Sequence, residues 1–325
     1  MKNRIKRIYC FMLACMLMMN AGAGMAYAAE SRNSGQVSAA KQNQTERRAL
    51  LLGETSTEAI PGANVKEMAN LMKKCTFSGR KMKTVIQKTN ISKKEIASAV
   101  KETFSDTKSS DISYVYIACH GVKATKNRSQ RINIDKQKKG YTPKELRQLL
   151  EENIKGKIVV LLDCCYAGMI LPNSASAKQN SLNAGIEDNA ADEFIQEFIG
   201  TNPSLSSSNP IMPYSTTAND TNNRFFMLCS SRYKEASFGK MPNSRFSLAT
   251  KYWLFGGGWN RQLKKGLKLL ADKNTDKKVT MSELYSYSHQ KVLKATEGYI
   301  SDGKAIRQNV CAYPQNSKLV LFGEY

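Results

Sequence analysis

The sequence predicts an α/β fold, a doubly wound and mostly parallel sheet of about six strands with helices on both faces. Two apolar runs, Ile112-Ser-Tyr-Val-Tyr-Ile-Ala118 and Lys157-Ile-Val-Val-Leu-Leu-Asp163, lack polar alternation, the pattern of strands buried on both faces. Between them stands a helix start, with Thr142 as N-cap, Pro143 at the first helical position and Glu145 at the third, followed by Leu146, Leu149 and Leu150 on one face. Strand, helix and strand in this order form a βαβ unit, so both strands run the same way and end at one edge of the sheet.

The remaining elements follow in order. Met1 to Ala28 reads as a secretory signal peptide: Lys2, Arg4, Lys6 and Arg7 precede an apolar run from Ile8 to Met19, and Ala26-Tyr27-Ala28 supplies a small-x-small cleavage pattern. Residues 29–46 are polar and form a flexible leader or pro-segment, and the domain occupies residues 47–325. Arg48 to Gly53 is the first strand. Val65, Met68, Ala69, Met72 and Cys75 recur at helical spacing. Lys83 to Gln87 is the second strand, and Ser92 with Glu95 forms a capping box for a helix reaching about Phe104. From Pro172 to Asn223 the composition turns to Ser, Asn, Ala and Thr, which predicts a mobile linker interrupted by a short helix from Asp192 to Ile199.

Chemistry concentrates where the two long strands end. One stops at Cys119-His120-Gly121, with the first of only two histidines in the chain. The other stops at Asp163-Cys164-Cys165-Tyr166-Ala167-Gly168. Adjacent parallel strands lie about 5 Å apart, so an imidazole and a thiol at the same edge share one cleft. There Cys165 attacks a carbonyl carbon, while His120 serves as base or ion-pair partner and then as acid toward the leaving amine. The oxyanion falls to the backbone N–H groups of Gly121 and Cys165. A metal site made of Cys119, His120, Cys164 and Cys165 is disfavoured, because neighbouring residues on a strand point to opposite faces. His289 falls within a helix among Lys, Tyr and Ser and reads as a surface or half-buried side chain.

His-Gly after one strand and Asp-x-Cys-aromatic-Ala-Gly after the next resemble the caspase, metacaspase and clostripain group of cysteine peptidases. The interval from His120 to Cys165 fits the caspase spacing of roughly 50 residues. Locally the pattern departs from the caspase form Gln-Ala-Cys-x-Gly and is closer to the metacaspase and clostripain forms. The resemblance spans about Arg47 to Tyr325, resting beyond Gly168 on weaker patterns, the strand Phe225-Phe-Met-Leu-Cys229 and the C-terminal Lys318-Leu-Val-Leu-Phe322. It selects Cys165 over Cys164 as nucleophile, since one residue separates acid and nucleophile in these relatives. It also implies that Asp163 lines the first specificity pocket and selects Arg or Lys through a charge-assisted contact; the alternative is an Asp that caps the following turn. Relatives often carry a further acid after the first strand, but Gly62-Ala-Asn-Val-Lys66 has a lysine there, and the sequence names no second pocket carboxylate. The region joining the two halves of such enzymes is sometimes cut during activation, for which Lys178, the lysine-rich loop Lys123 to Lys139 and Arg224 are suitable positions.

Asp272, Asn274, Asp276, Thr280 and Glu283 match positions 1, 3, 5, 9 and 12 of a calcium loop, yet Lys277 replaces the glycine of position 6. Thr280 and Glu283 also form an ordinary capping box. The dyad chemistry needs no cofactor, and calcium stands as a possible ligand of this loop.

The net charge is +22. The lysines are scattered without an aromatic-interleaved stripe, which argues against nucleic acid and toward an anionic cell envelope or a merely solvated surface. Loss of the signal peptide removes Cys10 and Cys15 and leaves Cys75, Cys119, Cys164, Cys165, Cys229 and Cys311, whose spacing is not that of a disulfide scaffold. Together these features predict an exported cysteine endopeptidase, secreted or associated with the cell envelope, that acts on peptides or proteins. A transpeptidase or ligase using the same dyad, and a catalytically silent envelope-binding module, are the alternatives.

Overall fold

A computed structural model describes residues 44–125, 129–170, 220, 223–232, 235–239, 244–259, 269–301, 304–305 and 307–323. The predicted signal peptide, the leader up to residue 43, Lys178 and nearly all of the predicted linker lie outside the described residues.

Five strands run parallel and a sixth runs against them. In chain order the elements are β1 (Arg47–Gly53), α1 (Ile60–Lys74), β2 (Thr84–Thr89), α2 (Lys93–Phe104), β3 (Ile112–Ala118), α3 (Pro143–Asn153), β4 (Lys157–Asp163), β5 (Phe225–Cys229), α4 (Leu248–Gly256), α5 (Met281–Thr296) and β6 (Cys311–Tyr313). Across the sheet the order is β6-β5-β4-β3-β1-β2. Both capping boxes expected before α2 and α3 are formed, at Ser92 with Glu95 and at Thr142 with Glu145. Each supplies acceptors to amides that a helix start leaves without partners.

The central strands alternate between two apolar layers. Leu51, Tyr114, Tyr116, Val159 and Leu161 meet Val65, Met68 and Met72 of α1, together with Trp253 of α4 and Leu284 of α5. Leu50, Leu52, Val115, Ile117, Val160 and Leu162 meet Ile96, Val100 and Phe104 of α2 and Leu146 and Leu150 of α3. Helices therefore cover both faces, as a sheet apolar on both sides requires. At the amino-terminal edge the buried Arg48 is held by Asp111 at 3.0 Å, Asp106 at 2.9 Å and Glu46 at 2.7 Å. The opposite edge is left free for chemistry.

The sixth strand is not where the sequence pattern was most visible. Of the C-terminal Lys318 to Phe322, Val320–Phe322 pairs with Val279–Thr280 in a small separate ribbon. The main sheet is closed by Cys311–Tyr313, antiparallel to β5 with Cys311 opposite Cys229. Three residues are too few for periodicity to reveal a strand.

Candidate active site

The ladder between β3 and β4 brings the expected dyad to one place. The two strands pair in register up to Ala118 opposite Asp163, and the Cys119 N–H continues the ladder to the Asp163 carbonyl at 3.1 Å. His120 and Cys165 thus each stand two residues beyond the last paired positions. Gly121 packs directly on the Cys165 backbone: a Cβ at residue 121 would overlap the Cys165 carbonyl, so only glycine permits this approach. His120 opens a short antiparallel ribbon, His120–Val122 with Arg131–Asn133. Its Nε2 lies 2.8 Å from Thr57 Oγ1 in the segment between β1 and α1. That contact tethers the imidazole to the segment between β1 and α1.

Chain direction separates the two neighbouring thiols. Cys164 is 2% exposed and packs in the layer of α2 and α3, whereas Cys165 is half-buried at the edge. The turn behind Cys165 is pinned from β5: the Cys164 N–H donates to Ser230 Oγ at 3.1 Å, the Ala167 N–H to Ser231 Oγ at 3.2 Å and the Gly168 N–H to the Ser231 carbonyl at 2.7 Å. The Tyr166 N–H donates to the Glu235 carbonyl at 2.8 Å, with Tyr166 itself in the left-handed region at φ 59°. Among the described residues the Cys165 N–H donates none of these bonds. The Cys165 sulfur accepts from the Ser237 N–H at 3.4 Å and lies 3.7 Å from the Ser237 carbonyl. Burial raises the pKa of this thiol; the Ser237 N–H opposes the rise, while Cys164, Asp163 and Glu58 reinforce it.

Asp163 sits on the α1 and α4 side of the sheet, 3% exposed. Ser247 Oγ and Thr250 Oγ1 both donate to its Oδ2, Asn64 Nδ2 reaches the same oxygen at 3.5 Å, and Ser237 Oγ donates to Oδ1 at 3.2 Å. Behind these hydroxyls stands a second layer. Asn64 Nδ2 bonds Ser247 Oγ at 2.8 Å, Tyr116 Oη bonds Thr250 Oγ1 at 2.7 Å and Gln308 Nε2 bonds Ser237 Oγ at 3.2 Å. A hydroxyl has one proton to give, so each chain is oriented with its hydrogens toward the carboxylate. Among the described residues no cation pairs with it. Burial raises the Asp163 pKa, and the hydroxyls of Ser247, Thr250 and Ser237 only partly offset this. The partners of Asp163 come from other elements rather than from its own turn.

With the geometry in hand, residues 46–252 match the family model of the peptidase C14 caspase domain. The chain belongs to the caspase-domain family. Membership makes it a cysteine-peptidase domain whose substrates are proteins or peptides. No curated protein matches it in sequence. Among solved structures, caspase-1 from Spodoptera frugiperda is 13% identical with a TM-score of 0.49, the match covering 87% of this chain and 94% of the other. A structural-genomics target from Geobacter sulfurreducens is also 13% identical, with a TM-score of 0.44 and coverage of 84% and 97%.

The caspase domain does not assemble every group the sequence singled out. Among the described residues no three His, Cys, Asp or Glu side chains gather closely enough to hold a metal ion, so Cys119, His120, Cys164 and Cys165 form no such site. In the calcium-type loop, Asp272, Asn274 and Asp276 accept from the amides of Lys277, Asp276 and Lys278 at 3.0, 2.9 and 2.9 Å. Thr280 and Glu283 form the capping box of α5. His289, half-buried in α5, is bonded through Nδ1 to the Val310 carbonyl at 2.9 Å, remote in the chain from the dyad. Arg224 is engaged by the Glu151 and Ile154 carbonyls at the end of α3. Conversely, Thr57, Asn64, Ser237, Ser247 and Thr250 were not singled out from the sequence. Only Ser247, just before an apolar helical run, carries a local signal, that of an N-cap.

Proposed function

We propose that this protein is an exported cysteine endopeptidase that cleaves after Arg or Lys through Cys165 and His120. The observation that carries the reading is the seating of Gly121 on the Cys165 backbone, which joins the histidine and cysteine loops at one sheet edge. Burial holds the proton on the Cys165 sulfur more tightly, and His120 takes it as Sγ attacks the carbonyl carbon. Thr57 holds the ring during that transfer. The Cys165 and Gly121 N–H groups receive the oxyanion. His120 then protonates the leaving amine, the acyl-enzyme forms, and a water activated by the same imidazole resolves it.

Asp163 supplies the reason for a basic residue before the scissile bond. A buried carboxylate ringed by hydroxyl donors is destabilised by lost solvation, and an incoming guanidinium or ammonium is the missing partner. The test is a peptide panel with Arg, Lys, Asp or Asn before the scissile bond, run on wild type and Cys165→Ala. We expect cleavage after Arg and Lys, abolished in the variant. Cleavage confined to Asp or Asn would overturn the role of Asp163. Export rests on the sequence of Met1 to Ala28, and amino-terminal sequencing of the secreted protein checks it.

Calcium is proposed as a ligand of the loop Asp272 to Glu283 and not as a participant in the dyad chemistry. Two observations support it: Lys277 adopts φ 65°, the left-handed turn that position 6 demands, and Asp272 Oδ1 is buried with no hydrogen-bond partner. Binding would have to gather carboxylates that now serve loop amides. A rise in melting temperature with calcium, absent in Asp272→Asn, supports the site; equal melting with calcium and with chelator removes it.

A further inference from the structure

Along the carboxyl edge the site groups follow the order of the strands. Ser237 lies beyond β5, Cys165 beyond β4, His120 beyond β3 and Thr57 beyond β1, while Thr89 ends the edge strand β2. Next to Thr57 the edge holds an open hollow of about 560 Å³, whose lining includes Thr55, Thr57, Glu58, Lys66, Gln87 and Thr89. Its wall is held in place from two sides: the Thr55 N–H donates to Asn90 Oδ1 at 2.6 Å, Asn90 Nδ2 donates to Thr55 Oγ1, and the Ser56 N–H donates to Glu54 Oε1 at 2.7 Å. Hydroxyls, an amide and two charged groups make this a polar site rather than a greasy one.

The reaction supplies the occupant. His120 protonates the leaving amine, so the chain after the scissile bond departs on the His120 side of Cys165, toward β1 and β2. Strands about 5 Å apart put β1 and β2 about 10–15 Å from β4. An extended chain covers that distance in roughly three or four residues. Of the two charged groups at the hollow, Glu58 turns its Oε2 toward Gly239 in the loop after β5, leaving Lys66 as the charge on the α1 wall. Lys66 is exposed, and the carboxylate beside it in α1, Glu67, is taken by Arg245 and by the Trp259 Nε1–H.

We propose that this hollow is the subsite for the leaving half of the substrate, where Lys66 selects an acidic side chain about three or four residues after the scissile bond. The inference rests on the proposed Cys165 and His120 dyad. It makes Lys66 a specificity residue that acts on the far side of the bond from Asp163.

Two substrate series with Arg or Lys before the scissile bond test it. One ends there as an anilide, which has nothing to place in the hollow; the other continues with Asp, Asn or Lys at the third and fourth positions. With every rate divided by that of the anilide, wild type should favour Asp over Asn by about two- to fivefold in kcat/KM, the size of an exposed charge pair. Added salt should shrink this ratio. Lys66→Gln should bring it to about one and Lys66→Glu should reverse it in favour of Lys. Thr89→Trp, at an exposed position of the edge strand, should lower the peptide-to-anilide ratio by filling the hollow. A wild type that cleaves the anilide but does not distinguish Asp from Asn, or a preference that survives Lys66→Gln, overturns the subsite and leaves the dyad standing. Failure of wild type on both series overturns the parent reading, and this inference with it.

Discussion

Gly121 lies against the carbonyl of Cys165, with no space between the two backbones for a side chain. The contact is steric, because Gly121 is not among the residues with positive φ. Gly121→Ala must push the histidine loop off the cysteine loop. We expect destabilisation of about 1–3 kcal/mol, the range of overpacked sites, and loss of peptide cleavage. Melting temperature and turnover measured together check this; an active variant of normal stability would mean that the loops do not abut.

Thr57 acts on the reaction through His120. Removing its hydroxyl in Thr57→Val deletes one hydrogen bond to the ring, worth about 1 kcal/mol. The expected result is a kcat lowered about fivefold with little change in KM, restored by Thr57→Ser. A fall in KM-dependent terms alone would place Thr57 in substrate binding instead.

Asp163→Asn should make the protein more stable and less selective. The folded-state pKa of Asp163 is raised above its unfolded value, so the folded protein holds this proton more tightly. Its charged form therefore penalises folding at every pH above the folded pKa, and the penalty fades as pH falls through it. The gain in melting temperature for Asp163→Asn should be larger at pH 8 than at pH 4, while cleavage after Arg drops at least about a hundredfold, as for an ion pair broken in a buried site. Thermal melts at the two pH values and the peptide panel decide it.

Cys165 should behave as an ordinary or sluggish thiol until substrate arrives. With its pKa raised, alkylation by iodoacetamide should continue to accelerate through pH 9. A plateau already reached below pH 7 would indicate a standing thiolate–imidazolium pair. Mass mapping of the adduct should find Cys165 and not Cys164, which is 2% exposed.

The parallel core was legible because its signals are local. Unbroken apolar runs at Ile112 and Lys157, and capping boxes at Ser92 and Thr142, state their structure within a few residues, and each forms as expected. The sixth strand was not legible, since Cys311–Tyr313 owes its conformation to pairing with β5 rather than to any pattern of its own. The same distinction runs through the candidate site. Both dyad residues end a recognisable strand, whereas Thr57, Ser237 and Glu58 lie in loops whose path depends on what they pack against.

The chain alone determined which residues stand at strand ends and therefore which imidazole and which thiol share the carboxyl edge of the sheet. Periodicity and caps are short-range properties, and the direction of a βαβ unit follows from them. Only the folded molecule decided what surrounds Asp163. Its donors come from α1, from the start of α4 and from the loop after β5, between 74 and 99 residues distant in sequence. The electrostatics of a buried carboxylate depend on proximity in space, for which linear spacing carries no record.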